Sequence, residues 1–248
     1  GKSGRSVQIS FLIQIIMRWY HLLQEAAAQL LFPHFCAGCN SDVLHKEASI
    51  CGRCIHQLPA TSFHTLENNP VEKIFWGRIP VQAAMAAYYF TKDSLLQTLL
   101  HELKYRGNKE LGFHLGQLMG VLLKESARFN PDVLIPVPLH PKKEKERGFN
   151  QSLLLCKGIA SVLNVPIEET LLSKKYSGTS QTKKNRLERW ENVELSFEKN
   201  QRAGITGKTV LLVDDVITTG ATLEACGHIL TEQNELYLQI ASLCYTFR

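Results

Sequence analysis

The stretch Val210-Leu211-Leu212-Val213-Asp214-Asp215-Val216-Ile217-Thr218-Thr219-Gly220-Ala221-Thr222 decides the fold. Four apolar residues without alternation suit a central strand buried on both faces. Two acids follow at its carboxyl end, where open α/β sheets bind their ligands. A hydroxyl-rich loop with one glycine comes next, and Leu223, Cys226, Ile229 and Leu230 then recur at helical spacing. Backbone N–H groups around Thr218 to Thr222, at a helix N-terminus, form an anion cradle. The hydroxyls of Thr218, Thr219 and Thr222 add donors, and Gly220 lets the backbone approach a phosphate closely. Two carboxylates one step away can accept hydrogen bonds from two vicinal hydroxyls. A phosphate cradle beside a diol clamp describes a ribose 5-phosphate site.

Gly207-Lys208-Thr209 imitates the end of a P-loop, but the glycine required five residues before the Gly-Lys pair is Arg202 here. The triplet also precedes a strand, whereas a P-loop follows one. Both facts speak against a nucleoside triphosphatase.

Working outward, Val133-Leu134-Ile135-Pro136-Val137-Pro138 reads as a second strand. It leads into Leu139-His140-Pro141 and a basic run of Lys142, Lys143, Lys145 and Arg147, which read alone is a solvated loop and together with the downstream motif an anion site. Gly148-Phe149-Asn150-Gln151 then opens a helix carrying Leu153, Leu154, Ile159 and Val162. Pro166 to Leu172 reads as a third short strand and Leu236 to Cys244 as the last. Between them, Ser173 to Arg202 has little apolar periodicity; from Lys174 to Arg189 six cations face one acid, Glu188. A stretch this long without pattern is functional or disordered. Upstream, Val81 to Phe90 reads as a strand, and Leu95 to Leu103 and Leu111 to Leu123 as helices split by Lys104-Tyr105-Arg106-Gly107.

Ahead of these elements, Cys36-Ala37-Gly38-Cys39 and Cys51-Gly52-Arg53-Cys54 form C-x2-C-x11-C-x2-C. Two such knuckles complete a tetrahedral all-sulfur site at Cys36, Cys39, Cys51 and Cys54, suited to a structural zinc. Gly38 and Gly52 are expected to ease the tight turns. His34, His45, His56 and His64 read as surface residues, and Cys156, Cys226 and Cys244 as small buried side chains. Seven cysteines are an odd number, and 44% hydrophobic with 21% charged residues over 248 positions is an ordinary globular composition. A disordered chain, a fibrous protein and a small disulfide scaffold are thereby excluded.

Gly1 to Ser6 reads as a tail outside the fold. From Ile9 to Phe32 the polar residues Ser10, Gln14, Arg18, His21, Glu25 and Gln29 form one stripe of a 3.6-period helix, and no apolar run exceeds three residues. This is an amphipathic helix, not a membrane span or a secretory core, so the cytoplasm is the expected compartment.

Val210 to Thr222 resembles the phosphoribosyl pyrophosphate (PRPP) motif of type I phosphoribosyltransferases. The resemblance implies a catalytic, ribose-contacting role for Asp214 and Asp215. It implies PRPP and phosphate contacts at Val216, Ile217, Thr218, Thr219, Gly220, Ala221 and Thr222. It makes the loop with Pro138, Lys142, Lys143 and Arg147 the pyrophosphate loop. The cationic stretch with Gln181, Lys183, Lys184, Arg186 and Arg189 becomes the flexible catalytic loop, closing over PRPP to exclude water. Mg2+ would accompany PRPP.

Taken whole, the chain resembles the ComF/GntX family of competence-type proteins over about residues 30 to 244. The residues that carry this are Leu31-Phe32-Pro33, both knuckles, Lys104-Tyr105-Arg106-Gly107, Pro136-Val137-Pro138-Leu139, Arg147-Gly148-Phe149-Asn150-Gln151, Gln181, Arg189-x2-Asn192-Val193, Phe197 and the PRPP motif. The expected fold is α/β, a type I phosphoribosyltransferase-like parallel sheet flanked by helices with a small zinc-ribbon-like module in front. Its parts are an N-terminal amphipathic helix over 7–33, the zinc module over 34–65 and the phosphoribosyltransferase-like domain over 79–248. Two roles are implied. One is a PRPP-binding protein of DNA uptake, with single-stranded DNA and DNA-processing proteins as partners. The other is an active transferase passing ribose 5-phosphate from PRPP to a nucleobase or amine with release of pyrophosphate.

Overall fold

The structure is a computed structural model that describes residues 17–20, 35–42, 48–174, 197–200, 204–232 and 235–246. In chain order its first half comprises α1 (Gly52–His56), α2 (Pro70–Phe75), β1 (Ala83–Tyr89), α3 (Leu95–Tyr105), α4 (Lys109–Glu125) and β2 (Val133–Pro136). Then come α5 (Pro141–Arg147), α6 (Gln151–Leu163), β3 (Leu172–Lys174), β4 (Phe197–Lys199), β5 (Thr209–Ile217), α7 (Ala221–Thr231) and β6 (Tyr237–Tyr245). Residues 17–20 are helical; the remainder of the expected helix over 7–33 lies outside the described residues. Among the described residues no helix is long and apolar enough to cross a membrane.

The run Val210 to Val213 is fully buried, as a strand covered on both faces must be. It lies in a parallel sheet of order β1-β6-β5-β2. The pairing does not stop at the acids. Asp214 pairs with Ser242, Val216 with Cys244 and Ile217 with Tyr245, so both acids stand inside the last turn of β5 rather than after it. A laddered backbone fixes their direction, and successive strand residues point to opposite faces.

Ser94 caps α3 through its side chain, and Asn108 caps α4. Helix α4 packs on α6 with backbone touching backbone. A Cβ at Gly116 would lie 2.9 Å from the Leu155 Cα, and one at Gly158 would lie 2.6 Å from the Gln117 N. No larger residue fits either place.

Three expectations need correction. Pro166 to Leu172 does not form a strand of the main sheet; it makes one parallel bridge, Ile167 to Leu134. The Pro166 carbonyl accepts from the Leu134 N–H, but the proline has no N–H to continue the ladder. Secondly, the 173–202 stretch is read without strands, yet β3 and β4 pair antiparallel as a separate ribbon, Leu172 with Lys199 and Lys174 with Phe197. Thirdly, the basic run is a helix, not a loop. Pro141 starts α5, the His140 side chain accepts from the Lys142 N–H, and Gly148 ends it at φ 78°. Gly148 therefore closes one helix, while Asn150 caps the next.

The cysteine module is joined to the sheet by its own exit. The Thr61 N–H donates to the Ala87 carbonyl and the Tyr89 N–H to the Pro59 carbonyl, so residues 59–61 cover the outer edge of β1.

Candidate functional site

The four thiols of the two knuckles converge. Cys36 Sγ lies 3.7 Å from Cys54 Sγ, Cys39 Sγ lies 3.8 Å from Cys51 Sγ, and all four fall within 4.8 Å of one another. A tetrahedral zinc centre with bonds of about 2.3 Å has sulfur–sulfur edges of about 3.8 Å. The donor set therefore fits a zinc module. Burial pushes the Cys36 thiol up, but backbone N–H groups, among them those of Cys51 at 3.3 Å and Gly38 at 3.4 Å, outweigh it and hold the thiol below its ordinary value. Burial and the neighbouring sulfurs drive Cys54 the other way. Gly38 is required by proximity more than by a turn, since a Cβ there would lie 2.6 Å from Leu95 Cδ1, whereas Gly52 faces open space. Ser49 Oγ and His114 Nδ1, 3.1 Å apart, complete the seat of the module on α3 and α4.

The second site lies at the carboxyl end of β5. Helix α7 starts at Gly220, whose φ of 78° is open to glycine and strained for other residues. The five helices α2 to α6 each begin with a side-chain cap, from Asn69, Ser94, Asn108, His140 and Asn150 in turn. Helix α7 has none. Its first-turn N–H groups thus have no side-chain acceptor, with Thr218 and Thr219 exposed and Ala221 and Thr222 half-buried around them, an arrangement suited to an anion. Val216 and Ile217 belong to the strand instead. Ile217 is core, and its carbonyl accepts from the Thr246 N–H and Oγ1.

The acids differ. Asp214 accepts from Ser152 Oγ at 3.1 Å and from the Asp215 N–H at 2.8 Å. Dense packing and then the Asp215 charge raise its pKa to about 7, against the pull of those two donors and of Lys104. Asp215, on the other face, holds Lys104 Nζ at 2.6 Å through Oδ2. Lys104 and Ser152 were not assigned to the site from sequence. They lie on α3 and α6, far along the chain, and only the fold brings them there.

Helix α2, also unread in the sequence, braces the cradle from behind. A Cβ on Gly220 would stand 2.5 Å from Ile74 Cγ2 and 3.1 Å from Phe75 Cε1. Glu224, buried in the first turn of α7, accepts from Arg78 Nη1 at 3.3 Å.

Lys142, Lys143 and Lys145 are exposed on α5, and Pro138 is half-buried on the way into it from β2. The Arg147 guanidinium lies over the Tyr105 ring at 5.7 Å. Lys174 stands over the Phe197 ring at 4.6 Å; burial lowers its pKa, the Lys143 charge adds to the lowering and the Asp214 carboxylate opposes it. The ribbon therefore brings a cation toward the acids. Gln181, Lys183, Lys184, Arg186 and Arg189 lie outside the described residues. Among the described residues the two strand-end acids do not fit Mg2+, because Lys104 Nζ already occupies Asp215 Oδ2 and Asp214 is crowded, taking Ser152 Oγ and the Asp215 N–H.

Parallel sheet, uncapped glycine-led helix and strand-end acids define a phosphoribosyltransferase-type α/β domain. The chain belongs to the phosphoribosyl transferase domain family, which matches residues 107–246. Its relatives set it with the ComF proteins of that fold. It is 26% identical over 215 residues to DNA utilization protein YhgH of Escherichia coli O157:H7, covering 85% of this chain and 84% of that one. It is 31% identical over 149 residues to competence protein ComFC of Bacillus subtilis, covering 59% and 58%. Competence protein F of Haemophilus influenzae is 26% identical over 220 residues, covering 86% and 84%. Strand β1 precedes the matched stretch yet is hydrogen-bonded into the same sheet.

Proposed function

We propose that the pocket at the end of β5 binds a 5-phosphorylated ribose, PRPP foremost, and that the cysteine module holds one structural zinc ion. The observation that carries the first reading is the uncapped start of α7 beside two acids. The phosphate takes the free N–H groups, and Asp214 and Asp215 receive the ribose hydroxyls. Calorimetry with PRPP in the presence of Mg2+ tests it. The double variant Asp214→Ala, Asp215→Ala should keep its fold and bind about a hundredfold to ten-thousandfold more weakly, since two hydrogen bonds to charged groups contribute about 1.5–3 kcal/mol each. Unchanged binding by the double variant overturns the assignment.

The names of the relatives, DNA utilization and competence, support a place for this pocket in the handling of incoming DNA. In that role single-stranded DNA and DNA-processing proteins are the partners, and the cytoplasm is the compartment. A second reading is favoured by Lys174, which stands near enough to Asp214 for the two charges to interact and has Lys143 near it in turn. In it, the bond from the anomeric carbon to pyrophosphate breaks, a nitrogen of a nucleobase or amine bonds to that carbon and loses its proton, and the cations receive the leaving pyrophosphate. A pyrophosphate-release assay against a panel of such acceptors separates transfer from binding alone.

A further inference from the structure

Two adjacent carboxylates beside an anion cradle repel the ligand the cradle attracts. The ordinary remedy is a divalent cation bridging acids and ligand. Here a side chain stands in that place. Lys104 is the penultimate residue of α3, where the helix carbonyls favour a cation, and its Nζ reaches Asp215 Oδ2 at 2.6 Å. The pair is 22% and 16% exposed, so it is poorly screened and stronger than a surface ion pair. Its neighbours have other partners: Arg106 reaches back to Glu102 at 3.2 Å, and Arg147 covers Tyr105. Lys104 is thus the cation assigned to the acids by direct contact among the described residues. Helix α3 is itself seated on the cysteine module through Leu95 and Gly38, which sets where its far end falls.

We propose that Lys104 is the resident cation of this pocket, replacing a divalent metal ion at the second acid, so that a 5-phosphorylated ribose with free vicinal hydroxyls binds without Mg2+. The ammonium cancels the charge of Asp215 while leaving its other oxygen to accept a ribose hydroxyl. Mg2+ then accompanies a ligand only where the ligand carries its own diphosphate. This inference rests on the phosphoribosyl reading of the pocket and adds to it the identity of the counter-ion.

The test is calorimetry of the full chain with ribose 5-phosphate and, separately, with PRPP, in Mg2+-free buffer and in millimolar Mg2+. The unaltered protein should bind ribose 5-phosphate equally well in both. Lys104→Met should weaken Mg2+-free binding about tenfold or more, the loss of one poorly screened charge contact, and Mg2+ should restore most of it. Lys104→Arg, which keeps the charge, should stay Mg2+-independent. Rescue by Mg2+ also shows that the Met variant is folded, which loss of binding alone would not. Mg2+-free binding by Lys104→Met equal to that of the unaltered protein overturns the inference, as does an unaltered protein that needs Mg2+ for ribose 5-phosphate; in both cases the pocket assignment stands. An unaltered protein that binds neither ligand under either condition overturns the pocket assignment and this inference with it.

Discussion

The cysteine module and the strand-end site of β5 are built on opposite plans. The module closes on itself: four thiols lie within 4.8 Å of one another, and backbone N–H groups of Gly38, Cys39 and Cys51 serve Cys36. The strand-end site is not closed in this way: α7, which starts beside it, lacks the side-chain cap that α2 to α6 possess, and, unlike the equally uncapped α1, it has no metal-binding cluster beside it among the described residues. A closed donor set stabilises a fold, and an open one binds and releases. The two also differ in how they use distance along the chain. The module draws on residues 36 to 54, whereas the pocket gathers Ile74, Lys104, Ser152 and Asp214 from separate elements.

That contrast can be broken at its strongest point first. Cys54→Ser should reduce bound zinc from one ion per chain to nearly none by elemental analysis. Because metal binding in such modules is about 10–16 kcal/mol of folding free energy, residues 35–58 should become protease-sensitive while the sheet survives. A full zinc complement in the variant would end the four-thiol assignment.

A smaller effect is expected at the open site. Gly220→Val places a branched side chain at φ 78° and against Ile74. The strain, about 2 kcal/mol, should displace the cradle and weaken PRPP binding about thirtyfold, with the zinc content unchanged. Equal binding in calorimetry would show that the phosphate does not use this turn.

The smallest effect is in pH and sharpens the comparison, because it concerns Asp214 alone. Its pKa is raised from 3.8 to about 7 in the fold, so the protonated carboxyl favours the folded state. That contribution is complete below 3.8 and is lost as pH rises through about 7. Ligand binding runs the other way, since a carboxylate accepts the ribose hydroxyls. From pH 6 to 8 affinity should rise about tenfold while the melting temperature drifts down. Asp214→Asn should flatten both trends in parallel titrations and thermal melts.

How far the sequence carried each region follows from the same physics. The knuckle spacing is local, so Cys36, Cys39, Cys51 and Cys54 were legible at once, and all four meet. The run Val210 to Val213 announced a buried strand, and the structure buries it. Asp214 and Asp215 hid where that strand ends, because polarity breaks the apolar run while the ladder to β6 continues. The helix at Pro141 to Arg147 had a proline at its start and a glycine at its end, signals outweighed by the density of charge. Pro166 to Leu172 had strand composition but met the sheet only at Leu134. Lys104 was visible as a residue and not as a partner, since nothing local says which acid an ammonium reaches across 111 positions, from 104 to 215.

The contact of Gly116 with Gly158 has a mechanical consequence. Two helices whose backbones touch have no layer of side chains to re-pack, so α4 and α6 cannot slide in shear past each other. They behave as one stiff slab, and Ser152 rides at its edge. Because Ser152 donates to Asp214 from that edge, a ligand bound beside Asp214 is expected to meet a partner that does not shift.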